Sequence, residues 1–133
     1  MTTVAAGILR RNGEVLICRR APGSSHAGKW EFPGGKVDGA ETPAEALVRE
    51  LDEELGIVAS GLAEIDRYPF AYPGRVPILL VFFDVGSFSG EPENRVFGEI
   101  RWARPETFGQ FDFLEGDAPL LLSHFGIRPP GMA

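Results

Sequence analysis

Three glutamates, Glu50, Glu53 and Glu54, fall close together in a stretch whose apolar residues repeat at helical spacing. At about 100° per residue they share one sector of roughly 100°, beside the apolar stripe and not opposite it. Glu50 and Glu54 are like charges at i,i+4, which costs an isolated helix about 0.2–0.5 kcal/mol, and Arg49, four residues before Glu53, is the local compensation. A sequence seeking only stability would avoid this crowding. Hard divalent cations take oxygen ligands, so three carboxylates on one helical face, next to a Gly34-Gly35 turn with backbone carbonyls to offer, make a site for Mg²⁺ or Mn²⁺. The bland alternative is a solvated acidic helix face, and the surrounding residues decide between the two.

The element that must carry these glutamates spans 42–55, with Ala44, Leu47, Val48, Leu51 and Leu55 forming its apolar stripe. Thr42 with Glu45 makes a capping box, Pro43 suits the first helical position, and Gly56 suits the left-handed residue that closes a helix. Ahead of it, the polar, glycine-containing loop 22–29 leads into Trp30-Glu31-Phe32-Pro33-Gly34-Gly35, where an extended segment gives way to a tight turn. The chain opens with two predicted strands, 2–10 and 14–20, joined by the hairpin signal Asn12-Gly13. Beyond the helix, 57–68 and 76–85 read as strands joined through Tyr72-Pro73-Gly74, 99–103 as a short strand, and 118–125 as a closing helix. Strands before, after and around one long helix predict an α+β fold, an α/β/α sandwich built on a mixed sheet.

A length of 133 residues, 44% hydrophobic and 24% charged, suits one domain with one core, here 1–128, with 129–133 as a C-terminal tail. No stretch approaches the roughly 18–20 apolar residues that span a bilayer, and the first residues lack the basic-then-apolar pattern of a signal peptide, so a cytoplasmic location without membrane contact is expected. Cys18, the one cysteine, lies in an apolar alternation and reads as a buried structural thiol, not a nucleophile. A net charge of −6 and a pI of about 4.9 argue against a grip on long nucleic acid, which needs Lys and Arg to neutralise phosphates. Small polyphosphates stay open, because divalent cations reverse the local charge of an acidic site.

Gly35, five residues, Glu41, seven residues, then Arg49-Glu50-Leu51-Asp52-Glu53-Glu54-Leu55-Gly56-Ile57 resembles the Nudix box at every defined position. The resemblance implies a backbone metal ligand at Gly35, metal-binding carboxylates at Glu50, Glu53 and Glu54, and an Arg49 that orients them, with Mg²⁺ the expected cofactor. Catalysis then falls to Glu53, Arg49 and Glu50, with Glu53 as the base that takes a proton from the attacking water. Arg19-Arg20, Trp30-Glu31-Phe32-Pro33-Gly34-Gly35-Lys36 and Trp102 extend the likeness to the MutT branch, which hydrolyses nucleoside triphosphates to monophosphate and pyrophosphate.

That branch implies substrate contacts at Arg20, His26, Phe32 and Asp117. Arg20 would approach the phosphates or be a surface arginine, and His26 sits in the loop facing the base pocket. Asp117, fifteen residues after Trp102, takes the place of a residue that hydrogen-bonds the nucleobase edge, or caps the last helix, or does both. Phe70, Tyr72 and Phe82 are candidates to flank a base, with burial in the core as their ordinary alternative. One departure stands out: a further metal-linked glutamate six residues before the tryptophan is Val96 here. Either Glu93 or Glu99 substitutes, or the helix carboxylates and waters suffice. The expected activity is sanitation of the nucleotide pool by a monomer or homodimer, on 8-oxo-dGTP or cytidine nucleotides. ADP-ribose, dinucleoside polyphosphates and nucleotide sugars are the alternative substrates, and a non-catalytic nucleotide-binding Nudix module is the alternative from another class.

Overall fold

Successive side chains of the first strand enter two different core layers. In the computed structural model, which describes residues 1–128, β1 (Thr2–Ile8) turns Ala5 to one face and Ala6 and Ile8 to the other, all of them buried. A strand buried on both faces belongs in the middle of a covered sheet. β1 indeed pairs in parallel with β7 (Ile78–Ser89) and antiparallel with β5 (Gly34–Lys36), while β7 pairs antiparallel with β6 (Val58–Phe70). A second sheet centres on β3 (Glu14–Arg19), which pairs antiparallel with β2 (Arg10–Arg11), β4 (Trp30–Glu31) and β8 (Glu99–Ala103).

The single strand expected over 2–10 is broken at Leu9. Leu9 is fully buried beside Leu16 and Leu47, and the chain bends there from the first sheet into the second, so only Arg10 and Arg11 enter the hairpin with β3. The turn itself follows the sequence signal: Asn12 and Gly13 take φ of 54° and 78°, the two left-handed residues of the turn type that matches strand twist.

α1 (Pro43–Leu55) packs Leu47, Leu51 and Leu55 over one face, against Ala5, Leu16, Ile57, Val81 and Phe83. Ala46 is buried with them while Ala44 is only half-buried, a slight rotation of the predicted stripe. Cys18 lies fully buried in this layer, and burial pushes its thiol well above the usual range, as a structural cysteine requires. On the other face, α2 (Ala118–Phe125) packs Leu120 and Leu121 with Ile8, Phe32, Phe82 and Phe108. The result is the expected α/β/α sandwich with mixed pairing. Two 3₁₀ segments that periodicity did not signal, Pro105–Gln110 and Glu115–Asp117, lead into α2. No helix among the described residues is long and apolar enough to cross a membrane, and the expected tail 129–133 lies outside the described residues.

Both ends of α1 are closed tightly, which fixes the register of its glutamates. At the N-terminus the Thr42 hydroxyl accepts from the Glu45 N–H at 3.2 Å, and the Glu45 carboxylate accepts from the Thr42 N–H at 2.8 Å. At the C-terminus Gly56 is left-handed (φ 68°), and the segment before β8 folds back onto the helix end. There the Arg95 N–H donates to the Glu54 carbonyl at 3.2 Å, the Glu93 N–H to the Leu55 carbonyl at 2.8 Å, and the Arg95 guanidinium to the Asp52 carbonyl at 3.1 Å. Orphan carbonyls of the last turn are thus satisfied by chain and side chain together. Thr42→Ala is expected to destabilise the fold by about 1 kcal/mol, read as a lower denaturant midpoint at an unchanged slope in equilibrium unfolding.

Candidate active site

Arg49 holds the acidic cluster together. Its Nε donates to Glu41 at 2.8 Å and its Nη2 to the other oxygen of the same carboxylate at 3.0 Å, a two-pronged grip. Nη1 reaches Glu50 at 3.0 Å and Glu53 at 3.3 Å, and Nη2 also reaches the Lys36 carbonyl at 3.1 Å and Asp38 at 3.4 Å. One guanidinium therefore ties α1 to the segment that follows β5. The Arg49 bonds, with help from the Asp38 N–H, hold the Glu41 carboxyl down at about 2, and the same contacts raise Arg49 further above its already high value.

The glycine turn lies directly against the cluster. The Gly34 N–H donates to Glu54 at 3.3 Å, and a Cβ on Gly35 would fall 2.5 Å from the Glu50 carboxylate carbon. Gly34 itself has φ 153°, and a Cβ there would sit 1.9 Å from the Ala5 carbonyl oxygen, so the antiparallel pairing of β5 with β1 demands glycine. Burial, then the neighbouring charges of Glu50 and Glu31, push Glu54 up to about 8. Glu50 is raised as well, by burial first, with Arg49 opposing.

Among the described residues no three His, Cys, Asp or Glu side chains already converge into a metal cage. Each carboxylate has turned to its own partner, Glu50 and Glu53 to Arg49 and Glu54 to the Gly34 N–H. The donor set still fits a hard divalent cation: oxygen ligands, half-buried, with Glu54 raised by the crowding of like charges that a cation relieves.

A second polar group lies at the start of α2. Asp117 is 6% exposed and its Oδ2 has no hydrogen-bond partner. Although it occupies the position before α2, its side chain makes no capping bond, so the helix-cap role expected as one alternative is not what it performs. Burial, with the Glu31 charge adding, pushes its carboxyl well above the usual range, against the opposing Phe32 backbone bond. Glu31 adds its charge to the upward shifts of both Glu54 and Asp117, and its carboxylate accepts from Arg20 at 3.0 Å.

A NUDIX domain family model matches residues 1–123. The chain belongs to the NUDIX family. Over 119 residues it is 40% identical to the 8-oxo-dGTP diphosphatase of Haemophilus influenzae, covering 89% of this chain and 87% of that one. It is 37% identical over 128 residues to the CTP pyrophosphohydrolase of Escherichia coli, covering 96% of this chain and 94% of that one. Among solved structures, the E. coli ORF135 protein superposes with a TM-score of 0.83 at 36% identity, covering 95% of this chain and 89% of that one. The MutT protein studied from Aliivibrio salmonicida and Vibrio cholerae superposes with a TM-score of 0.79 at 28% identity, covering 94% and 97%.

Against this NUDIX frame the expected residues divide clearly. Arg49, Glu50, Glu53, Glu54 and Gly35 are brought together, while Asp117 lies buried at the start of α2, with Glu31 adding to the shifts of both Glu54 and Asp117. Phe32 is corrected: its ring is 2% exposed among Phe108, Phe113 and Phe125, so it is a core residue whose backbone alone borders Asp117. Phe82 is likewise in the core, stacked on Tyr68. Arg20 grips its own loop, donating to the Ser25 carbonyl at 2.6 Å and the Ser25 hydroxyl at 3.1 Å besides Glu31. His26, at φ 55°, lies over Tyr72 with ring centres 4.7 Å apart. Glu99 pairs with Arg101 and Glu93 with Arg95, so neither is turned to the α1 carboxylates. The acidic residue that sequence reasoning missed is Glu31, hidden in an apolar strand motif where charge alone gives no sign of burial. Gly35→Ala is expected to displace the Glu50 carboxylate and lower kcat/KM by at least about tenfold, with the denaturant midpoint recorded alongside to separate this from unfolding.

Proposed function

We propose that this chain is a nucleoside triphosphate pyrophosphohydrolase that uses Mg²⁺, with Mn²⁺ able to replace it, to release a nucleoside monophosphate and pyrophosphate. The observation that carries the proposal is a pair of polar groups, the α1 carboxylates at the glycine turn and the buried Asp117 carboxyl. Crowded carboxylates at the Gly34-Gly35 turn suit a cation-bound polyphosphate, and a buried Asp117 carboxyl with one unpartnered oxygen suits a base. The Glu31 charge adds to the shifts of both Glu54 and Asp117.

The bound cation would be held by Glu50, Glu53, Glu54 and the Gly35 carbonyl, and would supply charge neutralisation and a more acidic water. Glu53 is the most exposed of the three carboxylates, at 59% of its side chain, and stays within 3.3 Å of Arg49. It is assigned as the base that accepts a water proton while the oxygen attacks phosphorus and the α–β anhydride bridge breaks. Glu50, partly buried against Gly35, orients that end, and Arg49 holds both carboxylates in place.

At the other end, Asp117 in its protonated form, which burial favours, offers one O–H donor and one carbonyl acceptor. That pair matches the O6 acceptor and N7–H donor of 8-oxoguanine and the N3 acceptor and N4–H donor of cytosine. Unmodified guanine shows two acceptors, O6 and N7, on the corresponding edge and leaves the acceptor of Asp117 unmatched. Oxidised guanine and cytidine nucleotides are therefore the preferred substrates, in keeping with the activities named for the two relatives. Adenine also pairs one donor with one acceptor, which keeps ADP-ribose and adenine nucleotides as the second reading.

The test is product analysis with Mg²⁺ and a panel of 8-oxo-dGTP, dGTP, CTP, dATP and ADP-ribose, with Glu53→Gln alongside. The expected result is monophosphate plus pyrophosphate from 8-oxo-dGTP or CTP well ahead of dGTP, with kcat lowered at least roughly 10²-fold in Glu53→Gln. Consumption of ADP-ribose alone, or of dGTP as readily as 8-oxo-dGTP, would contradict the assignment.

A further inference from the structure

One side of the Asp117 carboxyl is met by the Phe32 backbone, while Oδ2 is unpartnered and the side chain caps no helix end, so the direction in which Oδ2 points depends on how its own backbone is held. Its orientation is inherited from the backbone of the 3₁₀ segment Glu115–Asp117. That segment is gripped at Gly116, the residue just before Asp117. The Tyr68 hydroxyl donates to the Gly116 carbonyl at 2.6 Å, and the Gly116 N–H donates to the Tyr72 hydroxyl oxygen at 3.2 Å. Two phenols, from the end of β6 and from the turn after it, thus hold both backbone polar groups of one buried residue.

The fit leaves no slack. A Cβ on Gly116 would lie 2.7 Å from the Tyr72 hydroxyl and 3.2 Å from Leu80 Cδ1, so the phenol occupies the place a side chain would need. Each tyrosine is itself braced. Tyr68 stacks on Phe82 at 5.7 Å, and Tyr72 meets Phe70 at 4.8 Å and His26 at 4.7 Å. Burial raises both phenols, Tyr68 to a value beyond the ordinary range and Tyr72 to about 12, with the Asp117 charge adding in each case.

Resting on the reading that Asp117 faces the base, we infer that Tyr68 and Tyr72 are positioning residues for base selection, clamping Gly116 so that the Asp117 carboxyl presents its donor and acceptor at a fixed angle. A hydroxyl lost from this clamp leaves the rings packed but frees the segment to rotate, and discrimination between bases falls. A purely architectural role would instead lower stability and affect every substrate alike.

The experiment is a pair of double-mutant cycles, Tyr68→Phe and Tyr72→Phe each made in the natural chain and in Asp117→Asn, with kcat and KM measured for 8-oxo-dGTP, CTP, dGTP and dATP and the melting temperature recorded. Each tyrosine change is expected to reduce the kcat/KM ratio of the preferred nucleotide over dGTP by about fivefold, a typical single hydrogen bond, mainly through KM. In the Asp117→Asn background the same change should leave the ratio where that background already sets it. Equal losses for all four nucleotides, or the same fivefold fall in both backgrounds, would overturn the clamp while leaving Asp117 as the base contact. A preference unmoved by Asp117→Asn itself would remove the base-reading assignment, and this inference with it.

Discussion

Like charges on one helical face repel, and the whole cleft depends on how that repulsion is contained. Arg49 does so by binding carboxylates from two directions, Glu41 from the loop and Glu50 and Glu53 from its own helix. An arginine is suited to this because its planar fork offers several donors at once and stays charged. The consequence reaches beyond local charge balance. With the loop after β5 tied to α1, the glycine turn cannot drift from the carboxylates it must meet, and Gly34 and Gly35 are left with room for nothing larger than hydrogen.

Around that constraint the sandwich supplies rigid mounts of two kinds. α1 is sealed by a capping box at one end and by Gly56, Glu93 and Arg95 at the other, so its glutamates have little freedom of register. The Asp117 end is mounted on short 3₁₀ and loop segments instead, near aromatic contacts among His26, Phe70 and Tyr72. Chemistry at the phosphates tolerates little displacement, which suits a capped helix. Choice among bases is a matter of one or two hydrogen bonds, which a clamped turn can present. Burial comes first in raising both Glu54 and Asp117, and Glu31, paired with Arg20, adds to each.

What was legible in the sequence followed from local chemistry. The α1 bounds, its caps, the Asn12-Gly13 turn and the box glutamates are all determined by neighbours within a few positions, and the structure has them where the pattern placed them. What was hidden depended on tertiary partners. Leu9 looks like one more strand residue until its burial bends the chain between sheets. Phe32 sits in a motif beside the glycine turn, yet its ring turns to Phe108 and Phe125, because strand alternation near a turn does not say which face is the core. Glu31 and the tyrosine grip on Gly116 join residues far apart in the chain, and no local pattern marks such pairs.

The central claim is that the α1 carboxylates, organised by Arg49 at the glycine turn, form a divalent-cation site. Its most direct test is a Mn²⁺ titration followed by electron paramagnetic resonance, in the absence of nucleotide, for the natural chain and for Glu50→Gln, Glu54→Gln and Arg49→Met. The account predicts saturable binding that weakens at least about tenfold in each glutamate variant, and by a similar factor when the orienting arginine is lost. Binding of equal strength in all four proteins would place the cation elsewhere and contradict the account.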